Sequence, residues 1–305
     1  MRPFVLGTRG SALALFQAQL IEERLARLDP ACRITREIIK VHADKHPEQP
    51  LATMGEGEGV FVKELQAALI EKRIDLAVHS MKDVPLEREP RLTIVAILKR
   101  DEPRDCVVSR AGRFEALPAG ARVGTSSLRP RSQLVRWRKD IELADMRGNV
   151  DTRLRKLDEG RYDAIVLSAC GLIRLGLASR ITEYLELERM VPEPGQGAIA
   201  LEARADDAEV LKLLAGLDHA ESRACIEAER AFLGALGGGC RVPIAAYATV
   251  SGTEMKLSGI VAAPDGSADL RGTLRGIRNA PEQLGKRLAQ QLSDQGAHAL
   301  LSHAV

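Results

Sequence analysis

Ile74-Asp75-Leu76-Ala77-Val78-His79-Ser80-Met81-Lys82-Asp83-Val84-Pro85 is the stretch on which the fold turns. Its first part, Ile74–Val78, reads as a buried strand. The strand stops at a polar turn closed by proline. Before it, Phe61–Lys72 reads as a helix; after it, Leu92–Leu98 reads as a strand. The alternation continues outward. Phe4–Gly7 is a short apolar run that leads into Gly7-Thr8-Arg9-Gly10. Ser11 then caps a helix in which Leu13, Phe16, Leu20, Ile21, Leu25 and Leu28 recur at helical spacing. Ile34–Val41 reads as a strand, followed by a turn-rich stretch that includes Gly55-Glu56-Gly57-Glu58-Gly59.

At Asp101–Arg104 a charged turn with a proline suits a crossing into a second domain. The alternation then restarts. Cys106–Ser109, Arg122–Gly124, Ile141–Ala144 and Ala164–Leu167 read as strands; Leu128–Lys139, Val150–Glu159 and Gly171–Leu177 read as helices. Val191-Pro192-Glu193-Pro194-Gly195 is a stiff connector. The strand Ala198–Glu202 and helix Ala208–Leu217 beyond it are too small for a domain and are expected to return to the first one. Asp218 with Glu221 forms a capping-box signature for a helix to Ala235. Strands near Ile244–Val250, Met255–Val261 and Leu270–Leu274 and a helix over Pro281–Leu292 complete the chain. Repeated strand–helix units followed by a mixed tail imply an α/β protein with two lobes and a small α+β C-terminal domain. The expected boundaries are 1–99 with 198–217, 103–192 and 218–305.

Composition narrows the function. The chain has 305 residues and a formal net charge of +2, from 44 Lys+Arg against 42 Asp+Glu; 33 of the basic residues are Arg. Aromatics are only 3%. Near-neutral charge and few stacking residues argue against a nucleic-acid binder. The longest runs without a charged side chain are 12 residues, Gly10–Ile21 and Val242–Thr253, against the roughly 20 that a membrane span needs. Five widely spaced cysteines contain no CxxC pair, so neither a disulfide framework nor a metal site is expected. The chain reads as cytoplasmic.

The arginines carry more information by position than by number. Arg9 follows the first strand. Gly124-Thr125-Ser126-Ser127-Leu128-Arg129 leads from a strand into a helix, which gathers backbone N–H groups and hydroxyls at one point, a ready anion site. Arg147-Gly148-Asn149 also joins strand to helix, with Arg153 in that helix's first turns and Arg174 in the next helix. Taken singly, each is a solvated surface charge. Together, at strand ends where open α/β sheets place their ligands, they suit a ligand with several carboxylates or phosphates. Asp83 reads either as a turn aspartate or as a carboxylate that stabilises a developing cation or moves a proton. Cys240, after three glycines, reads either as a buried thiol or as an attachment point.

Seven ordered runs resemble the porphobilinogen deaminase (hydroxymethylbilane synthase) family. They are Gly7-Thr8-Arg9-Gly10-Ser11, Phe61-Val62-Lys63-Glu64-Leu65, Val78-His79-Ser80-Met81-Lys82-Asp83-Val84-Pro85, Gly124-Thr125-Ser126-Ser127-Leu128-Arg129, Arg147-Gly148-Asn149-Val150, Gly195-Gln196-Gly197-Ala198 and Gly239-Cys240-Arg241-Val242-Pro243. The resemblance implies two lobes like type II periplasmic binding proteins and a third domain that carries the cofactor cysteine. It implies a dipyrromethane cofactor held by a thioether to Cys240. It implies a transferase of tetrapyrrole and haem biosynthesis that joins four porphobilinogen units head to tail on that primer, losing ammonia each time, and releases hydroxymethylbilane by hydrolysis. Asp83 matches the catalytic aspartate. Lys82, Asp83, Thr125, Ser127, Arg129 and Arg153 match cofactor-binding positions. Arg9, Ser11, Gln17, Arg147, Asn149, Arg153, Arg174 and Gln196 match substrate-binding positions. A cytoplasmic monomer without metal, nucleic acid or membrane partner is implied.

The chain departs from the family pattern at Glu58, where a Lys is common, and at Pro130, where a second Arg is common; Arg131 is offered one position later. Two other readings stand beside the transferase. One is a diverged relative that binds pyrrole polycarboxylates or other anions without efficient turnover, and the other is a plain small-anion binding module.

Overall fold

In a computed structural model that describes residues 3–41, 61–238 and 242–302, the apolar stretch around Leu76 is the third strand of a five-stranded sheet. Strands β1 (Phe4–Thr8), β2 (Ile34–Ile38), β3 (Leu76–Ser80) and β4 (Leu92–Ile97) come from the first hundred residues. The fifth strand comes from far along the chain. Numbering strands in chain order, β5 (Asp105–Ser109), β6 (Arg122–Gly124), β7 (Glu142–Ala144), β8 (Ala164–Ser168) and β9 (Glu183–Tyr184) precede β10 (Ile199–Arg204). The first sheet has the order β2-β1-β3-β10-β4. β1 runs parallel to β2 and β3, whereas β10 runs antiparallel to β3 and β4.

The second sheet repeats this plan as β7-β6-β8-β5-β9. β6 runs parallel to β7 and β8, and β5 is antiparallel to β8 and β9. Each sheet therefore has one reversed strand in its fourth position: β10, from far along the chain, in the first, and β5, the opening strand of its own run, in the second. The two sheets thus share one strand order, as the expectation of two like lobes requires. Two compact units result: 1–101 with 197–223, and 102–196 with 224–305.

In the first unit, helix Ala12–Leu28 starts at Ser11, whose hydroxyl accepts the Ala14 N–H at 3.3 Å. The helix buries Ala14, Gln17, Ala18, Ile21 and Leu25, while Phe16 and Leu28 are exposed. The expected stripe of large residues is thus rotated, because small alanines face the sheet and admit the helix closely. Helix Lys63–Ile70 places Leu65, Ala68 and Leu69 in a cluster with Ile74 and Ala77. Gly7 permits this packing: a Cβ there would lie 2.2 Å from Ile74 Cδ1. Asp75 is buried at the head of the deciding strand. Its carboxylate accepts the Val5 N–H at 2.8 Å and faces Arg204 at 3.0 Å. Arg204 also donates to the Leu69 and Ile74 carbonyls. A buried ion pair needs such added hydrogen bonds to offset its desolvation.

In the second unit the C-terminal residues form an antiparallel sheet of β11 (Ile244–Ser251), β12 (Glu254–Ala262) and β13 (Asp269–Ile277). Phe232, Met255, Leu257, Leu284, Leu288 and Leu292 fill its core. The capping box expected at Asp218 is replaced. Helix Ala220–Ala235 has its Ser222 N–H on His219 Nδ1, 3.2 Å away. The Asp218 carboxylate instead takes the Ile97 N–H and the Arg223 guanidinium. Among the described residues, no helix is long and apolar enough to cross a membrane, and no group of three His, Cys, Asp or Glu could hold a metal. Cys240, Glu58 and the Gly55–Gly59 stretch lie outside the described residues.

Candidate active site

Because β1 and β3 are parallel neighbours, with Gly7 opposite Ala77, Arg9 and the Met81–Asp83 turn emerge at the same edge of the first sheet. The turn is fixed at its start. The Met81 N–H donates to the Ala198 carbonyl at 3.0 Å, and the buried Gln17 amide donates to the Ser80 hydroxyl at 3.0 Å. One residue upstream, His79 Nε2 lies 3.0 Å from Glu202 Oε2, and Gln66 donates to the other Glu202 oxygen at 2.9 Å. Against this rigid backing the Asp83 carboxylate is half-buried and makes no hydrogen bond or ion pair among the described residues. Lys82 beside it is half-buried too. Arg9 stacks over the Phe61 ring, 4.1 Å from its centre, an attraction of cation to aromatic face. The Ser11 hydroxyl is the helix cap, and Gln17 is turned to Ser80, so both expected substrate contacts already have local work.

In the second unit β6, β7 and β8 are parallel, so their following loops leave one edge together. Ser126 ties two of these loops, since its hydroxyl bonds the Met146 N–H at 2.8 Å and the Met146 carbonyl at 2.5 Å. The hydroxyls of Thr125 and Ser127 make no hydrogen bond among the described residues, although Ser127 occupies the cap position of helix Leu128–Trp137. Pro130 lies in that helix's first turn, where its missing N–H removes no helical bond. Arg131 reaches the Thr125 carbonyl at 3.4 Å and Asp145 at 3.3 Å.

Next to them is a second cationic cluster. Arg153 Nε donates to the Gly148 carbonyl at 2.8 Å, and Lys156 donates to the Arg147 carbonyl at 3.1 Å. Burial, and then the charge of Arg147, push the Arg153 guanidinium below the ordinary arginine value. No carboxylate pairs with Arg153 among the described residues, so an incoming anion would relieve it. Asn149 is exposed at the start of helix Val150–Asp158 with no side-chain cap bond. Arg174 is buried in helix Ala169–Arg174.

Arg129 is the surprise. It is buried, with its two terminal nitrogens 2.7 and 2.9 Å from the Asp105 oxygens, and it also donates to the Val191 carbonyl at 3.0 Å. Burial alone would lower its guanidinium; the Asp105 charge outweighs that and holds it above the ordinary value. Its Nε is buried without an acceptor among the described residues. Gln196, fully buried, donates to the same Asp105 and to the Pro103 carbonyl. Sequence reading missed Asp105; its one signal was a carboxylate opening an otherwise apolar strand.

The comparisons with known proteins agree in one direction. Residues 4–212 match the family described as "Porphobilinogen deaminase, dipyromethane cofactor binding domain", and residues 223–294 match "Porphobilinogen deaminase, C-terminal domain". The chain belongs to the porphobilinogen deaminase family. A porphobilinogen deaminase of Pelobacter propionicus is 46% identical over 300 residues, 98% of this chain and 96% of that one. One from a Roseiflexus species is 49% identical over 299 residues, 98% of each chain. One from Methylobacillus flagellatus is 46% identical over 302 residues, 99% of this chain and 97% of that one. Among solved structures, the probable amino-acid ABC transporter extracellular-binding protein ytmK from Bacillus subtilis aligns at 14% identity and a TM-score of 0.40, covering 71% of this chain and 90% of that one.

The donor set fits the family's dipyrromethane. That group is a pair of pyrroles with acetate and propionate arms, hence a tetra-anion. In the second unit, Arg129 Nε, which has no acceptor among the described residues, and the Thr125 and Ser127 hydroxyls are the kinds of group that bind carboxylates.

Proposed function

We propose that this chain is a transferase that joins four porphobilinogen molecules head to tail on a covalently bound dipyrromethane, loses one ammonia per molecule joined, and releases hydroxymethylbilane by hydrolysis. The Asp83 carboxylate carries the reading. It stands at the end of an apolar strand, half-buried and without a partner among the described residues, in a chain that matches the family almost end to end.

When bound through a thioether to Cys240, dipyrromethane supplies the pyrrole to which the first substrate is joined. The remaining work falls to side chains. Expulsion of ammonia leaves positive charge on the substrate pyrrole. The Asp83 carboxylate stabilises that charge and takes up or returns the pyrrole proton. Arg9, Arg147, Arg153 and Arg174, with Ser11, Gln17, Asn149 and Gln196, bind the acetate and propionate arms of substrate and growing chain. Lys82, Thr125, Ser127 and Arg129, together with Arg153 and Asp83, hold the cofactor. The same reading makes the protein a cytoplasmic monomer with domains 1–99 plus 198–217, 103–192 and 218–305. A solution mass near twice that of one chain would overturn the monomer.

The decisive experiment is the intact mass of protein purified from a host that makes porphobilinogen. A covalent adduct of two pyrrole units is expected, and it disappears in Cys240→Ser. An unmodified wild-type chain from such a host would refute the reading.

A further inference from the structure

Arg129 and Gln196 are assigned to different ligands, yet both lean on one buried carboxylate. Asp105 is nearly sealed from solvent at the start of β5. One of its oxygens takes Arg129 Nη1 at 2.7 Å, and the other takes Arg129 Nη2 at 2.9 Å and the Gln196 amide at 3.2 Å. Arg129 Nη1 also reaches the Val191 carbonyl, which the Gln133 amide shares at 3.0 Å; Gln133 in turn accepts the Val191 N–H at 2.9 Å. Every group around the fork is therefore fixed. An arginine used as a carboxylate clamp normally offers this paired edge to its ligand. Here that edge is already occupied. The donor left over is Nε, buried and without an acceptor among the described residues. Such an orphan destabilises a protein unless a ligand satisfies it.

We infer that Asp105 is a positioning residue for cofactor capture: it holds the terminal nitrogens of Arg129 so that Nε is the donor left for a pyrrole carboxylate, and it locks Gln196 to the same point. The inference rests on the functional reading above. It concerns a residue that contacts no ligand itself and acts through Arg129.

The test is the rate at which cofactor-free protein gains the two-pyrrole adduct when mixed with porphobilinogen, followed by intact mass at a temperature where each variant is folded. Asp105→Asn keeps the shape but removes the charge that orders the fork. It is expected to load about tenfold more slowly or worse, as a displaced binding group does. Because Asp105 acts through Arg129, Asp105→Asn combined with Arg129→Lys should load no more slowly than Arg129→Lys alone. Loading of Asp105→Asn at the wild-type rate would overturn the proposal, and so would losses that multiply in the double variant. Should Asp105→Asn not fold, Asp105→Glu keeps the charge and moves the carboxylate by one carbon. It should fold and load slowly; loading at the wild-type rate would again overturn the proposal. A wild-type chain that never gains the adduct would instead sink the functional reading, and this inference with it.

Discussion

His79 Nε2 and Glu202 Oε2 lie 3.0 Å apart on the neighbouring strands β3 and β10, both almost sealed from water. The contact joins the strand that carries the Asp83 turn to the reversed strand that the chain supplies some 120 residues later. His79→Ala would leave Glu202 with Gln66 alone among these contacts and open a cavity beside it. A loss of about 3 kcal/mol in stability is expected, from an unsatisfied buried acceptor plus lost packing. Urea unfolding measures it; a change below about 1 kcal/mol would mean that the pair does not brace the strand.

Asp83 gives the complementary case, a carboxylate whose loss should spare the fold. It makes no hydrogen bond or ion pair among the described residues, so Asp83→Asn should leave the unfolding midpoint close to that of the wild type. Turnover should fall by roughly 10²–10³, the usual loss when one preorganised electrostatic group is removed from a reacting centre. Steady-state release of product gives the number. Turnover within a factor of three of wild type would remove Asp83 from the chemistry.

The alternation of strand and helix was legible because the buried strands are short apolar runs bounded by turns. The order of the sheets was not. The fourth position of each sheet is filled by its one reversed strand, β10 from far along the chain in the first and β5, the opening strand of its own series, in the second, and local periodicity says nothing about which strand fills it. Strand β9 is two residues long and leaves no period to detect. In helix Ala12–Leu28 Ile21 and Leu25 are buried as the spacing expects, but Phe16 and Leu28 are exposed, and Ala14, Gln17 and Ala18 complete the buried face. At the site, residue types at strand ends were readable, but their partners were not. Asp105 and Arg129 meet across 24 residues, and the pairing depends on burial that no spacing encodes.

Arg153 illustrates stability held back for binding. Burial and the Arg147 charge lower its pKa. A base whose folded value is depressed opposes folding while it is charged. That opposition is full below the folded value and fades as pH climbs from it to the unfolded one. An arginine side chain stays charged at neutral pH, so the opposition is present there. In a Cys240→Ser background, which keeps the cofactor out, Arg153→Gln should raise the unfolding midpoint, with glutamine still able to donate to Gly148. In the loaded enzyme the same change should raise KM for porphobilinogen by roughly ten- to a hundredfold, the equivalent of one lost hydrogen bond to a charged group. Calorimetry and steady-state kinetics read the two effects. A lowered midpoint with an unchanged KM would contradict both halves of the argument.

Gly148 controls how the neighbouring Arg147 and Asn149 are presented. Its φ is +110°, a conformation that side chains rarely adopt, and a Cβ there would lie 2.7 Å from Thr152 Cγ2. The loop cannot drift to escape, because Lys156 holds the Arg147 carbonyl and Arg153 holds the Gly148 carbonyl. Gly148→Ala should therefore cost about 1–3 kcal/mol of stability. It should also raise KM more than it lowers kcat, since it displaces Arg147 and Asn149, proposed above to bind the carboxylates, and leaves Asp83 untouched. Adding Thr152→Ala separates the two causes. It removes the collision but not the backbone strain, so only part of the stability should return. Full recovery in the double variant would show that the collision with Thr152 was the whole effect and that the left-handed backbone contributed nothing.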